Sequence, residues 1–114
     1  MLTSGDVVDV ILGAPAGREA GFDRPAIVVT AQRILDGEPN VVHVVPLTTT
    51  IRGFDSEVTV EPDRLNGLEG QSAAQCHQVR AVATQRVGQV RGNVGSEGLL
   101  QIRDRIGLLL DIPR

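Results

Sequence analysis

The chain predicts an α+β fold: a small β-barrel of five to six short strands, closed against one C-terminal amphipathic helix. Three observations carry this. Most of the 114 residues are written as short β-branched runs punctuated by Gly, Pro, Asp-Gly and Asn-Gly. Helical spacing is confined to the segment after Ser96. A chain of this length buries about two-thirds of its unfolded surface, enough for one core without staples, so residues 1–114 read as one domain.

The elements follow in order. Gly5–Leu12 (GDVVDVIL) is apolar and β-branched behind a Ser-Gly turn signal. Residues 13–24 form a long Gly-, Ala- and Pro-rich loop whose charges are Arg18, Glu19, Asp23 and Arg24. Pro25 opens the run Ala26–Thr30, continuous enough to be covered on both faces. Asp36-Gly37 turns the chain into Asn40–Thr48, where Pro46, lacking an N–H, predicts an edge or bulge. Ser56–Val60 alternates as a half-exposed strand, Gln71–Val82 reads as a fifth strand and Gly88–Asn93 as a short sixth. Ser96 is the expected N-cap of the only helix, with Glu97 in its first turn. Leu99, Ile102, Ile106 and Leu109 make its stripe and Pro113 its stop, while Leu108 and Leu110 are apolar surplus for burial or for a partner subunit.

Composition excludes several classes of function. Hydrophobic residues at 41% and charged residues at 22% are ordinary for a globular chain and unlike disorder. No apolar run approaches the ~18 residues of a membrane span, and MLTSGDVVDV has neither a charged nor a hydrophobic leader region. A cytoplasmic protein without membrane attachment is the expectation. Cys76 is the only cysteine, so no internal disulfide forms, and no zinc-ligand spacing, phosphate-cradling glycine loop or serine-hydrolase elbow occurs. The net charge is −3, and every basic residue is Arg. Residues 80–114 carry six Arg against three acids, so an Arg-lined face suited to phosphate is open to an otherwise acidic chain.

Glu19, Arg24 and Thr48 sit at strand ends or in loops, where a barrel displays functional groups. Read from the residues alone, Glu19 is first a solvated carboxylate, Arg24 a surface partner of Asp23, and Thr48–Thr50 β-branched filler. Phe22 and Phe54, the only aromatics, fall in loops, where they can stack on a splayed RNA base or plug a barrel mouth.

Spacing adds to this. Gly17-Arg18-Glu19-Ala20-Gly21-Phe22-Asp23-Arg24-Pro25 followed by AIVV resembles the G-[SR]-E-x-G-x-x-R-P motif of the MazF/PemK toxin family. Val45–Phe54 followed by DSEV resembles that family's V-P-x-T-[TS]-x-x-[KR]-G-[YF]-x-x-E-V segment. Gly5-Asp6-Val7 matches its first strand and Gln78–Val82 its Q-[VI]-[KR]-[ST]-[IV] strand, so the resemblance spans essentially the whole chain. Two departures stand out: no aromatic occurs near Val8–Asp9, and His77 stands where many members carry Asp.

The resemblance implies an SH3-like barrel that dimerises and cleaves single-stranded RNA at short sequences without metal or cofactor, and that a cognate antitoxin neutralises. It assigns catalytic roles to Arg24 and Thr48, with Glu19 near the site and His77 in place of the usual base. Arg18, Phe22, Thr49, Arg52, Phe54, Gln78 and Arg80 are the expected RNA contacts. The chemistry fits these residue types. Attack by the ribose 2′-hydroxyl needs a base, stabilisation of a dianionic phosphorane and an acid for the 5′-oxygen. Arg24 offers a planar, permanently charged fork for phosphate, and the Thr48 hydroxyl a donor. Proton transfer falls to Glu19 or His77; imidazole, with an ordinary pKa near 6.5, is the better match. Two other classes stay open: a toxin of the same barrel that poisons a protein target such as DNA gyrase, in the manner of CcdB, and a non-catalytic RNA- or protein-binding barrel.

Overall fold

In a computed structural model that describes residues 1–113, the β-branched runs form a seven-stranded, wholly antiparallel sheet. The strands are β1 (Asp6–Ile11), β2 (Asp23–Val28), β3 (Val41–Thr48), β4 (Glu57–Val60), β5 (Ser72–Gln75), β6 (Arg80–Ala83) and β7 (Val87–Asn93). Two helices accompany them, α1 (Gln32–Leu35) and α2 (Gly95–Leu109). The ladder runs β4-β5-β3-β2-β1-β7, with β6 also on β3. The sheet bends without closing: among the described residues no ladder joins its two ends. The α+β class with a C-terminal helix holds, with seven strands rather than five to six.

Period-two alternation divides the apolar side chains between two cores. Val8, Val10, Ala26, Val28, Val42 and Val44 face one, with Leu35 from α1 and Leu12 and Ala20 from the long loop. Val7, Ile27, Val45 and Leu47 face the other, which α2 covers with Ile102. The unbroken apolar run of β2 is thus buried on both faces, as expected.

Several local expectations are corrected. Residues 71–82 are not one strand: a 3₁₀ turn at Cys76–Gln78 separates β5 from β6. Both pair with β3, β5 through Leu47↔Ala74 and Thr48↔Ala73, β6 through Val41↔Ala83 to Val44↔Arg80. Pro46 is therefore buried in a central strand rather than at an edge. It stands where β3 passes from one partner to the next, a break that tolerates a missing N–H. Pro25 lies inside β2, opposite Asp9, and does not open it. Four residues of helix, Gln32–Leu35, and a second 3₁₀ turn at Thr84–Arg86 join the one helix expected, because too few residues repeat there to reveal a period.

Helix α2 begins one residue before Ser96, with Val94 at the cap. Asn93 Oδ1, not Ser96, accepts the Gly95 N–H at 2.8 Å. The helix ends before Pro113 reaches it. Asp111 takes a left-handed φ of 55°, the Ile112 N–H reaches the Gly107 carbonyl at 2.8 Å, and the Asp111 N–H reaches Leu108 at 3.3 Å. This is the Schellman arrangement, which satisfies the last carbonyls. Arg103 ties α2 to the sheet by donating to the carbonyls of Val29 and Thr30 at 3.0 and 3.2 Å. No described helix is long and apolar enough to cross a membrane.

Candidate functional site

The long loop between β1 and β2 is closed at its base and clamped at its tip. Leu12 and Phe22 bracket it, with the Leu12 N–H on the Phe22 carbonyl at 2.9 Å and the Phe22 N–H on Gly13 at 2.6 Å. Gly21 is required there, since a Cβ would stand 2.5 Å from the Pro15 ring. Gln78 holds the far side: its amide oxygen accepts the Ala20 N–H, and its nitrogen donates to the Arg18 carbonyl at 3.3 Å. The 3₁₀ turn that interrupts the expected fifth strand is what brings Gln78 to this loop. Expected as an RNA contact, Gln78 has its amide engaged with the backbone that carries Glu19.

The loop between β3 and β4 is anchored from below. Glu57, at the start of β4, accepts the N–H groups of Arg52 and Gly53 through Oε1 at 3.1 and 2.9 Å. Arg105 of α2 donates to the Asp55 carbonyl from the other side.

Two depressions lie at these loops, the smaller formed by the ends of β2, β3 and β5 with Thr49, the larger by both loops, the start of β4, the end of β5 and the 3₁₀ turn. In one, of about 220 Å³, Arg24, Thr48 and Thr49 meet Pro25, Leu47 and Ser72. Arg24 donates through Nε to the Gly21 carbonyl at 3.1 Å, and no carboxylate among the described residues lies within salt-bridge reach of it. The surface pairing of Arg24 with Asp23 does not form. Thr48 Oγ1 accepts the Thr50 N–H at 3.1 Å, which leaves its own proton available. A fixed guanidinium beside a free hydroxyl is a donor pair suited to an anionic phosphate.

The second depression, of about 290 Å³, gathers Arg18, Glu19, Arg52, Phe54, His77 and Gln78 around a floor of Glu57 and Gln75. Glu19 itself is exposed, with Oε1 accepting the Ala16 N–H at 3.2 Å. The expected site residues are thus brought together in two groups, with Arg24 and Thr48 in one and Glu19 and His77 in the other. Two residues fall elsewhere. Phe22 is 65% exposed in a left-handed conformation (φ 58°) and lines neither depression. Arg80 donates to the Leu12 carbonyl at 3.4 Å and lines an apolar groove with Val29, His43, Ile106 and Leu110. Of Glu57 and Gln75, only Glu57 carries a sequence signal, the Glu-Val that ends the second motif. Among the described residues no three His, Cys, Asp or Glu side chains converge as a metal would require.

Fold and site define a small bent-sheet protein that presents an arginine–threonine pair beside a polar pocket rimmed by two further arginines. The sequence profile of the PemK-like, MazF-like toxins of type II toxin–antitoxin systems matches residues 3–110, and the chain belongs to that family. It is 32% identical over 119 residues to Endoribonuclease MazF9 of Mycobacterium tuberculosis, covering 98% of each chain. MazF of Deinococcus radiodurans superposes with a TM-score of 0.79 at 25% identity, over 96% of both chains. An endoribonuclease solved in complex with its cognate antitoxin, from a mycobacterial species, superposes at 0.77 over 100% of this chain and 99% of that one. Its 19% identity speaks for the fold alone.

Proposed function

We propose that the chain, acting as one domain over residues 1–114, is a metal-independent endoribonuclease toxin that cleaves single-stranded RNA in the cytoplasm. The observation that carries this reading is the Arg24 guanidinium, unpaired with any carboxylate among the described residues, in one depression with the Thr48 hydroxyl. Arg24 stabilises the phosphorane formed when the ribose 2′-hydroxyl attacks the neighbouring phosphate, and Thr48 donates to a non-bridging oxygen. The RNA strand extends towards the second depression, where Arg18 and Arg52 hold flanking phosphate, and Glu19 or His77 takes the 2′-hydroxyl proton once the strand brings that ribose within hydrogen-bond reach of it. Family membership and the similarity to the endoribonuclease MazF9 support this assignment. A cognate antitoxin whose acidic segment covers Arg24 and Arg52 would replace phosphates with carboxylates and so compete with RNA.

The test is incubation of purified protein with mixed RNA in EDTA. The expected result is discrete fragments ending in 2′,3′-cyclic phosphate and beginning with 5′-hydroxyl. Intact RNA under these conditions, or fragments bearing 5′-phosphate, would overturn the reading.

A further inference from the structure

The larger depression has a hydrogen-bond donor at its floor that the proposed chemistry leaves unused. Gln75 and Glu57 are cross-strand partners there, 6% and 8% exposed, while Arg18, Glu19, Arg52, Phe54 and His77 stand exposed around them. Glu57 is taken up by the fold: Oε1 accepts the Arg52 and Gly53 N–H groups, and Oε2 is buried. The Gln75 amide oxygen is buried too. Its Nε2 is therefore the one polar side-chain atom of the floor that is neither buried nor bonded among the described residues. Gln78, the other amide at the pocket, is already engaged by the Ala20 N–H and the Arg18 carbonyl. Arg18 and Arg52 add two guanidinium groups at the rim, against the single rim carboxylate of Glu19. Donors at floor and rim call for an occupant with an acceptor at its tip and negative charge on its frame. Gln75 also shares a sheet face with Thr48. Thr48 pairs with Ala73, two residues from Gln75, which sets Thr48 and Gln75 diagonally across one strand pair, roughly 7–8 Å apart.

A nucleotide next to the cleaved phosphate meets these requirements. Its phosphates face the arginines, and its ring offers a face to Phe54. The part of the base farthest from the ribose, which reaches the floor first, is the substituent at C4 of a pyrimidine or C6 of a purine. We propose that Gln75 is a specificity-determining residue whose Nε2 donates to a carbonyl oxygen at that point, so that one position flanking the cut accepts uracil or guanine and disfavours cytosine and adenine. This rests on the RNA-cleaving reading of the adjoining site. Uracil O4 and guanine O6 accept the bond. The amino groups of cytosine and adenine set N–H against N–H and leave the Gln75 donor unpaired; a site built round a hydrogen bond rejects the analogue that cannot make it. The expected preference is about fivefold or more, the lower end of hydrogen-bonded base discrimination.

Changes to the RNA test this without touching the fold. In a randomised library cut by the wild type and read by sequencing the fragment ends, uracil and guanine should be enriched about fivefold or more over cytosine and adenine at one fixed position. A pyrimidin-2-one ribonucleoside placed there, which has no substituent at C4, should be cut more slowly than uridine. Gln75→Met keeps the side-chain length without the donor and should bring the enrichment close to one while overall cleavage persists. Gln75→Asn, one carbon shorter, should weaken it in the same direction and serves if the first variant does not fold. Binding of uncleavable 2′-O-methyl oligonucleotides that differ only by uracil or cytosine at each position in turn gives a readout without turnover. No uracil-and-guanine preference at any position, or one that the folded Gln75 variant keeps, overturns the subsite. Enrichment of cytosine and adenine that the variant erases would mean that the amide carbonyl faces the pocket, and overturns it too. If RNA is left intact, the cleavage reading fails; uracil-over-cytosine binding that the Gln75 variant erases still upholds the subsite, and its absence overturns it.

Discussion

Arg24 is held by one bond to its own loop, from Nε to the Gly21 carbonyl, which orients the guanidinium without neutralising it. If it stabilises the phosphorane, Arg24→Ala should lower the single-turnover cleavage rate by on the order of 10²–10³, as removal of an oxyanion donor does. RNA affinity should fall much less, since one phosphate contact is part of a groove. Arg24→Lys should recover little, because an ammonium cannot reproduce the fork. Thr48→Ser keeps the hydroxyl and should retain most of the rate that Thr48→Ala loses. Cys76 behaves in the opposite way, as an inert core group. It is fully buried, with Sγ 3.7 Å from the Ala74 carbonyl. Burial pushes its thiol from an ordinary 9.0 up to about 11, outweighing the opposing pull of the Arg105 charge. The folded state therefore holds the thiol proton more tightly than the unfolded state. This contribution to stability is complete below about pH 9 and is lost as pH rises towards 11, by up to about 3 kcal/mol. Alkaline urea titrations should show the fall, and a Cys76→Ala variant should lack this component; Cys76 in the native protein should resist thiol reagents at pH 8.

At the scale of elements, helix α2 is an amphipathic cover of uneven depth. Leu99 and Ile102 are buried against the sheet, Ile106 packs at the border, and Leu109 is 44% exposed. The stripe predicted from spacing is real at its N-terminal half and runs out of sheet at its C-terminal half. Ile102 meets Val7, Ile27 and Val45 in one core, so Ile102→Ala should cost about 2–5 kcal/mol, read from the urea midpoint. The broken strand shows the limit of local reading. Nothing in QSAAQCHQVRAV signals a turn, for it contains neither Gly nor Pro. The turn forms because β3 has two successive partners on one side, and the chain must step from one to the other. That step places His77 in the pocket and Gln78 against the long loop.

For the whole molecule, the C-terminal end of α2 leaves a large apolar surface. Leu108, Leu110 and Ile112 are each more than half exposed, and Leu110 and Ile112 line the groove that holds Arg80 and His43. Contiguous apolar area of this kind marks association. We expect a homodimer at micromolar concentration by light scattering, and a shift towards monomer in a Leu108→Glu, Leu110→Glu double variant. A wild type that stays monomeric at that concentration would count against it. A dimer would also set two Arg24–Thr48 depressions in one assembly.

The sequence by itself determined the α+β class, the alternation that splits β1, β2 and β3 between two cores, the C-terminal helix, and the two motifs that carry Arg24 and Thr48. Each rests on a short-range signal: side-chain period, turn chemistry or motif spacing. Only the tertiary structure decided that Pro46 is central, that Val94 rather than Ser96 stands at the cap of α2, and that the expected site residues separate into two depressions. It alone showed Glu57 and Gln75 at the pocket floor. The two lie 18 positions apart, one on each of two paired strands, and nothing in either strand marks its oxygens as unpartnered. Whether a buried polar atom finds a donor depends on what the rest of the fold brings within about 3 Å of it, and no local pattern encodes that distance.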